Sequence, residues 1–197
     1  MLRKRFWLTI GLACAAWQLN ARPVAAQTIT TPAATSPSAL PAVTTIAALD
    51  VPRYMGTWYE IAKFPNRFQA RCVANTRAQY AAQTDGSVQV LNSCSTTDGS
   101  TIDALGKAVQ VGPNTSPKLQ VRFAPAWLSW LPMVWGDYWV IDLDPDYQLA
   151  AVSDAKREYL WVLSRTPQVN PKAYDALVTR LQAQHFEVQK LDRTPQR

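Results

Sequence analysis

From Gly56 onward, short β-rich runs alternate with turn residues. The run Lys118–Phe123 shows the pattern most clearly, because leucine, valine and phenylalanine alternate with lysine, glutamine and arginine. Eight runs are predicted as strands, near residues 57–64, 73–81, 87–94, 102–111, 118–123, 138–143, 148–153 and 159–164. Turn signals such as Asp85-Gly86 and Asp144-Pro145 separate them at short intervals, which favours antiparallel neighbours. The pattern is typical of a sandwich or a barrel, and eight such strands could close around one small ligand.

One helix is predicted after the strands. Asn170 is a favourable N-cap and Pro171 occupies the first helical position. An apolar stripe follows at helical spacing and includes Tyr174, Leu177, Val178, Leu181 and His185. We therefore expect this helix to pack on the outside of the sheet, with His185 in a packing role. A ninth strand is predicted near residues 187–191.

The connection between Phe123 and Gly136 is unusually apolar. It contains three tryptophans, of which Trp127 and Trp130 lie at its centre, where a loop is normally polar. Counting connections alternately places this loop at the open end of the predicted barrel. Either its tryptophans line the entrance, or they pack on neighbouring loops and close the domain.

The first 48 residues are not expected to belong to the fold. A basic start, a short apolar run and Val24-Ala25-Ala26 predict a signal peptide over residues 1–26, and Ala/Thr/Pro-rich residues 27–48 predict a spacer before the domain at 49–197. The alternative is that Cys14 is a lipoprotein acceptor. Removing residues 1–26 takes four cations and no acid, which lowers the formal net charge from +6 to +2. Nucleic acid is therefore not expected as a partner.

The two cysteines of the domain, Cys72 and Cys94, flank the Asp85-Gly86 turn. Their even number fits an oxidising compartment, and they could meet across a hairpin as a disulfide. The alternative is two unpaired buried cysteines.

Known catalytic patterns are missing from the sequence. It has a single histidine, and it lacks the Gly-x-Ser-x-Gly turn, a phosphate-binding glycine loop and the His-Glu-x-x-His metal motif. Neither a metal nor a cofactor is expected, and binding is favoured over catalysis.

Three ordered segments resemble the signatures of the lipocalins. These are Gly56–Pro65 with its Gly-x-Trp, Asp137–Asp142, and Tyr159–Pro167 with its arginine, and they are most similar to the bacterial outer-membrane and apolipoprotein D-like branch. The resemblance implies an all-β eight-stranded up-and-down barrel, closed at one end and followed by one helix, that binds fatty acids or lysophospholipids. Bacterial relatives often carry a lipoprotein acceptor cysteine, whereas the signal here indicates ordinary cleavage.

The resemblance also implies roles for individual residues. Gly56, Trp58 and Arg165 are expected to stabilise the fold, with the Arg165 guanidinium over the Trp58 indole at the closed end. Ligand contacts are expected at inward positions nearer the mouth, each of which could instead be ordinary core. Counting alternate strand positions gives Ala78, Tyr80, Val90, Val121, Phe123, Tyr138, Val140, Ala151, Tyr159 and Trp161.

The leading hypothesis is a lipid-binding carrier of the bacterial cell envelope, in the periplasm or associated with the outer membrane. A peripheral contact with a membrane is part of that hypothesis. The alternatives are a lipocalin-fold enzyme of the isomerase kind and a membrane-embedded barrel, whose strands would be about 9–11 residues long.

Overall fold

A closed antiparallel sheet forms the body of the protein, and the computed structural model describes residues 40–197. Its strands are β1 Gly56–Lys63, β2 Ala74–Ala82, β3 Val88–Ser95, β4 Thr101–Gln110, β5 Lys118–Arg122, β6 Gly136–Leu143, β7 Leu149–Ser153 and β8 Leu160–Ser164. Each strand pairs with the next, and β1 pairs with both β2 and β8, which closes the ring. The predicted eight-stranded barrel is confirmed.

A register shift in β1 changes which side chains face the interior. In β1 the shift lies between Glu60 and Ala62, so that Ile61 and Ala62 both join the outer cluster under the helix. Lys63 then returns to the inner face, opposite Trp161 of β8. A β-bulge inserts one residue into one strand only, which reverses the alternation beyond it.

Helix α2, Pro171–Ala183, covers the outer face of the barrel as predicted. The Asn170 side chain accepts hydrogen bonds from the backbone N–H groups of Lys172 and Ala173 and so caps the helix. Leu177 and Leu181 are fully buried in a cluster with residues of β1, β6, β7 and β8. Within residues 40–197, no helix is long and apolar enough to cross a membrane.

Two expectations about the region after α2 are wrong. His185 is exposed rather than packed, because the helix ends at Ala183 and His185 adopts a left-handed φ of 64° that turns the chain and buries Phe186 instead. The predicted ninth strand at residues 187–191 is mainly a 3-10 turn, Val188–Lys190, and the strand β9 is Asp192–Arg193. It pairs with the end of β1, where β1 has left β2.

The segment before β1 closes one end of the barrel. It includes the short helix α1, Val51–Tyr54, which is linked to the turns between strands by hydrogen bonds from Leu49 N–H to the Thr115 carbonyl (2.8 Å) and from Asp50 N–H to the Tyr147 hydroxyl (3.1 Å). Residues 40–48, which the sequence assigned to the spacer, also contact the domain, and Val43 is buried. The signal peptide, Cys14 and the spacer up to residue 39 lie outside the described residues.

The predicted disulfide between Cys72 and Cys94 is confirmed, with a Cα–Cα distance of 5.5 Å. It attaches the β1–β2 loop to β3. That loop lies at the opposite end from α1, because the connections of an up-and-down barrel alternate between its two ends. The β3–β4, β5–β6 and β7–β8 connections lie at this same open end.

Candidate ligand-binding cavity

Trp58 fills the closed end of the barrel. Its side chain has no exposed surface, and its indole N–H donates to the backbone carbonyl of Tyr54 at 2.8 Å. The indole ring also packs against the Tyr54 ring, with 4.8 Å between the centroids. Leu49 belongs to the same buried cluster. The segment before β1 and the first residues of β1 therefore form one plug.

The Arg165 guanidinium lies over this plug, with its Cζ 4.1 Å from the centroid of the buried indole. It donates hydrogen bonds to the backbone carbonyls of Arg53 (2.9 Å), Thr57 (3.1 Å) and Tyr147 (3.2 Å). Gly56 has a left-handed φ of 95°, and a Cβ there would stand 3.3 Å from the Arg165 Nη1. Glycine therefore serves two requirements at this position, backbone conformation and space for the guanidinium.

Three tyrosines cross the interior above the plug. The Tyr138 hydroxyl lies 3.0 Å from the hydroxyls of both Tyr54 and Tyr80. Burial raises the pKa of Tyr80 to about 12, and burial likewise raises the pKa of Tyr54 and of Tyr138 well above 10. The hydroxyls are therefore neutral at physiological pH. Three O–H protons serve only two hydrogen bonds among them, so one donor remains for a ligand oxygen or a water.

The walls above this tyrosine floor are mostly apolar. Seven of the predicted lining residues belong to or pack against the interior cluster: Ala78, Tyr80, Val90, Val121, Tyr138, Val140 and Trp161. Of these, Val121, Tyr138 and Trp161 keep accessible surface although they face inward. We infer that this surface lines a cavity between the tyrosine floor and the mouth.

Two further predicted residues, Phe123 and Tyr159, lie at the mouth. Phe123 follows β5 and is 44% exposed, and its ring occupies the space that a Cβ on Gly106 would need. Tyr159 stacks on Trp161 with 5.7 Å between ring centroids, and on its other side lies Phe68 of the β1–β2 loop at 5.6 Å. Aromatic rings thus occupy both sides of the opening.

The assignment of Ala151 to the lining is wrong. Ala151 is completely buried, but it belongs to the outer cluster under α2 together with its register partner Val162. The inward residues of β7 are Ala150 and Val152. Because α2 covers this strand from outside, β7 is apolar on both faces. Alternation of apolar and polar residues therefore could not distinguish its inner face from its outer face.

Trp127 and Trp130 are among the most exposed apolar side chains of the described residues, at 72% and 75%. Neighbouring loops therefore leave most of both side chains uncovered. Met133 of the same loop and Phe68 of the β1–β2 loop are exposed as well. The open end therefore presents an apolar rim, which we define as Phe68, Trp127, Trp130 and Met133.

Sequence reasoning missed four polar side chains in the strands β1 to β3. Glu60, Lys63 and Thr76 are buried, and Asn92 lies opposite Ala78 on the inner face of β3. Glu60 and Lys63 interrupt an otherwise mainly apolar run in the sequence of β1, and this was the available signal for polar groups in the barrel wall. Among the described residues, no group of three His, Cys, Asp or Glu side chains could hold a metal ion.

Comparison with known proteins gives consistent matches over the domain. The family model described as a lipocalin-like domain matches residues 49–196. Temperature-induced lipocalin-1 of Arabidopsis thaliana is 42% identical over 77% of this chain and 81% of its own length. Outer membrane lipoprotein Blc of Escherichia coli K12 is 35% identical over 80% and 85%, and mouse apolipoprotein D is 28% identical over 75% and 77%.

Solved structures agree on the fold. The cockroach allergen Per a 4 covers 78% of this chain and 92% of its own with a TM-score of 0.60 at 19% identity. Apocrustacyanin C1 covers 79% and 91% with a TM-score of 0.59 at 14% identity.

Proposed function

The chain belongs to the lipocalin family, and on this premise we propose that it binds one fatty acid or lysophospholipid in its barrel and carries it within the bacterial cell envelope. The observation that carries the proposal is the accessible inward surface of Val121, Tyr138 and Trp161, above a neutral tyrosine floor and below an aromatic mouth. A pocket of mainly apolar walls with a few polar groups suits a molecule that is mainly apolar.

Direct binding tests this proposal. We expect the protein to bind a fluorescent fatty acid with a dissociation constant of about 1 μM, typical of an acyl chain in an apolar site. Val121→Trp fills the cavity and should weaken binding at least about tenfold, since it blocks burial of several CH₂ groups. Gln120→Trp places the same side chain on the outer face of β5 and is the matched control. Absence of binding, or equal effects of the two variants, would contradict the proposal.

Location in the envelope is supported by three observations of different kinds. The sequence predicts a signal peptide, the Cys72–Cys94 disulfide suits an oxidising compartment, and relatives at 35% identity are outer membrane lipoproteins. The same disulfide weighs against the enzyme alternative, because among the described residues it leaves no free thiol as a nucleophile.

The apolar rim gives this function a route for its ligand. We propose that Trp127 and Trp130 contact a membrane surface and pass lipid between it and the cavity. Tryptophan suits this position because its ring is apolar while its N–H stays hydrated.

Replacing both Trp127 and Trp130 by Ser should slow the uptake of a fluorescent fatty acid from phospholipid vesicles markedly, while the free energy of unfolding changes by less than about 1 kcal/mol. Leu105→Ser is the control, because Leu105 is 60% exposed on β4, outside the rim. Normal uptake by a destabilised variant would show that the loop only supports the domain. Normal uptake with normal stability would also reject the membrane contact.

A further inference from the structure

One side of the cavity differs in chemistry from the rest. Glu60 and Lys63 of β1, Thr76 of β2 and Asn92 of β3 bring polar groups into the barrel wall, and we call these four residues the polar wall. On the opposite side, β5 and β6 contribute Val121 and Val140 with the tyrosine floor below. An amphiphile entering such a cavity meets an apolar and a polar surface.

The Glu60 carboxylate is already occupied by partners from the protein itself. It accepts hydrogen bonds from the Gln69 amide and the Thr194 hydroxyl, and the Lys63 ammonium lies 3.3 Å from its Oε1. Gln69 also accepts the indole N–H of Trp161 at 3.0 Å. These contacts leave Glu60 little capacity for a ligand and hold its charge next to Lys63.

Lys63, in contrast, retains unused donors. Lys63 is only 8% exposed. Its ammonium carries three N–H donors, and Glu60 is its single polar contact among the described residues. A buried charge is costly unless it is both paired and hydrogen-bonded. The remaining donors therefore favour a further anionic or polar partner.

Two neighbouring strands carry further unused polar atoms. Thr76 Oγ1 and Asn92 Oδ1 are buried and have no hydrogen-bond partner among residues 40–197. Nearly all buried polar atoms in proteins do have one, so each such atom calls for an explanation. The Thr76 hydroxyl can donate, and rotation of the Asn92 amide by 180° presents N–H donors in place of the oxygen.

We propose that the polar wall binds the anionic head group of the lipid, a carboxylate or a phosphate, with Lys63 as the charged anchor and Thr76 and Asn92 as hydrogen-bond donors. The proposal rests on the proposed function and adds the direction in which the ligand lies. The head group sits on the β1–β3 side near the mouth, and the acyl chain extends over Val121 toward the tyrosine floor.

The test compares ligands that share one acyl chain and differ in the head group. The protein carries the neutral fluorescent probe N-phenyl-1-naphthylamine at pH 8 and is titrated with lauric acid, dodecyl phosphate or dodecanol, and displacement of the probe measures the affinity for each. We expect the wild-type protein to bind one or both anions at least about tenfold more tightly than dodecanol, since a hydrogen bond to a charged group contributes that much. The better anion distinguishes a carboxylate site from a phosphate site.

Lys63→Met should abolish this preference and leave the affinity for dodecanol unchanged, while Lys63→Arg should retain it. Because Lys63→Met leaves the Glu60 carboxylate buried without its cation, the double variant Glu60→Gln/Lys63→Met provides the same comparison if the single variant is unstable. Lys156→Met is the control. It removes a positive charge from an exposed position in the β7–β8 connection and should leave the affinities for all three ligands unchanged.

Each remaining outcome identifies what has failed. Equal affinities of wild-type protein for the anions and for dodecanol would overturn the head-group assignment and leave the proposed function standing. An anion preference lost in Tyr138→Phe but kept in Lys63→Met would overturn it in favour of the tyrosine floor. Failure of the probe and all three ligands to bind would reject the proposed function itself.

Discussion

Replacing Arg165 by Ala is expected to lower the free energy of unfolding by about 2–4 kcal/mol, because it removes the cation–π contact with the buried Trp58 indole and leaves backbone carbonyls without their donor. The guanidinium lies over Trp58 and bonds three carbonyls from separate segments of the closed end. Urea unfolding followed by tryptophan fluorescence measures the change. The folded fraction should bind fatty acid normally, since Arg165 lies on the far side of the plug from the cavity.

Arg53→Ala is the matched control at the same end of the barrel. Arg53 is exposed, and its guanidinium Cζ stands 4.2 Å from the centroid of the Tyr147 ring, so its loss should cost less than about 1 kcal/mol. Unchanged stability of the Arg165 variant together with lost binding would move Arg165 from the fold into the ligand site.

Replacing Cys72 and Cys94 together by Ala is expected to destabilise the protein by about 3 kcal/mol, the chain-entropy value for a loop of roughly twenty residues. The bridge joins residues 22 apart in sequence. It also fixes the β1–β2 loop, in which Gln69 connects Glu60 with Trp161, so the polar wall should become more mobile. Thermal unfolding with and without reductant measures the stability.

The reductant supplies the control in this experiment. It should lower the stability of the wild-type protein to that of the double variant and leave the variant unchanged. Thiol titration of the exported, unfolded protein should detect no reactive group before reduction. Two reactive thiols at that stage would show that the bridge is not formed in the cell.

The strands and the start of the helix were predictable because their signals are local, whereas the choice of a barrel over a sandwich came from the resemblance to the lipocalins. Turn pairs such as Asp85-Gly86 separate the strands, and Asn170-Pro171 marks the start of α2. The helix end was not, because His185 lies on the extrapolated stripe but adopts a left-handed conformation just past the last turn. A periodic pattern does not show where the backbone leaves the helix.

The cavity was less predictable, because its composition depends on which face each residue takes. Ala151 was placed inside because β7 is apolar on both faces. Lys63 was missed because the register shift after Glu60 reverses the alternation of β1, and a shift of this kind has no sequence signal of its own. Thr76 and Asn92 share the parity of Ala78 and Val90, so alternation does place them inside, and they were missed because only apolar positions were taken as lining.

Closure of the ring by its first and last barrel strands also sets the order of events while the chain folds. Tyr59 of β1 pairs with Ser164 of β8, so one edge of β1 has no partner until the whole stretch between them is available. Such long-range pairing is slow to form, and an open strand edge invites pairing with other chains. A chain still being synthesised can fold its hairpins but cannot close the ring. Protection from aggregation must therefore last until β8 has emerged.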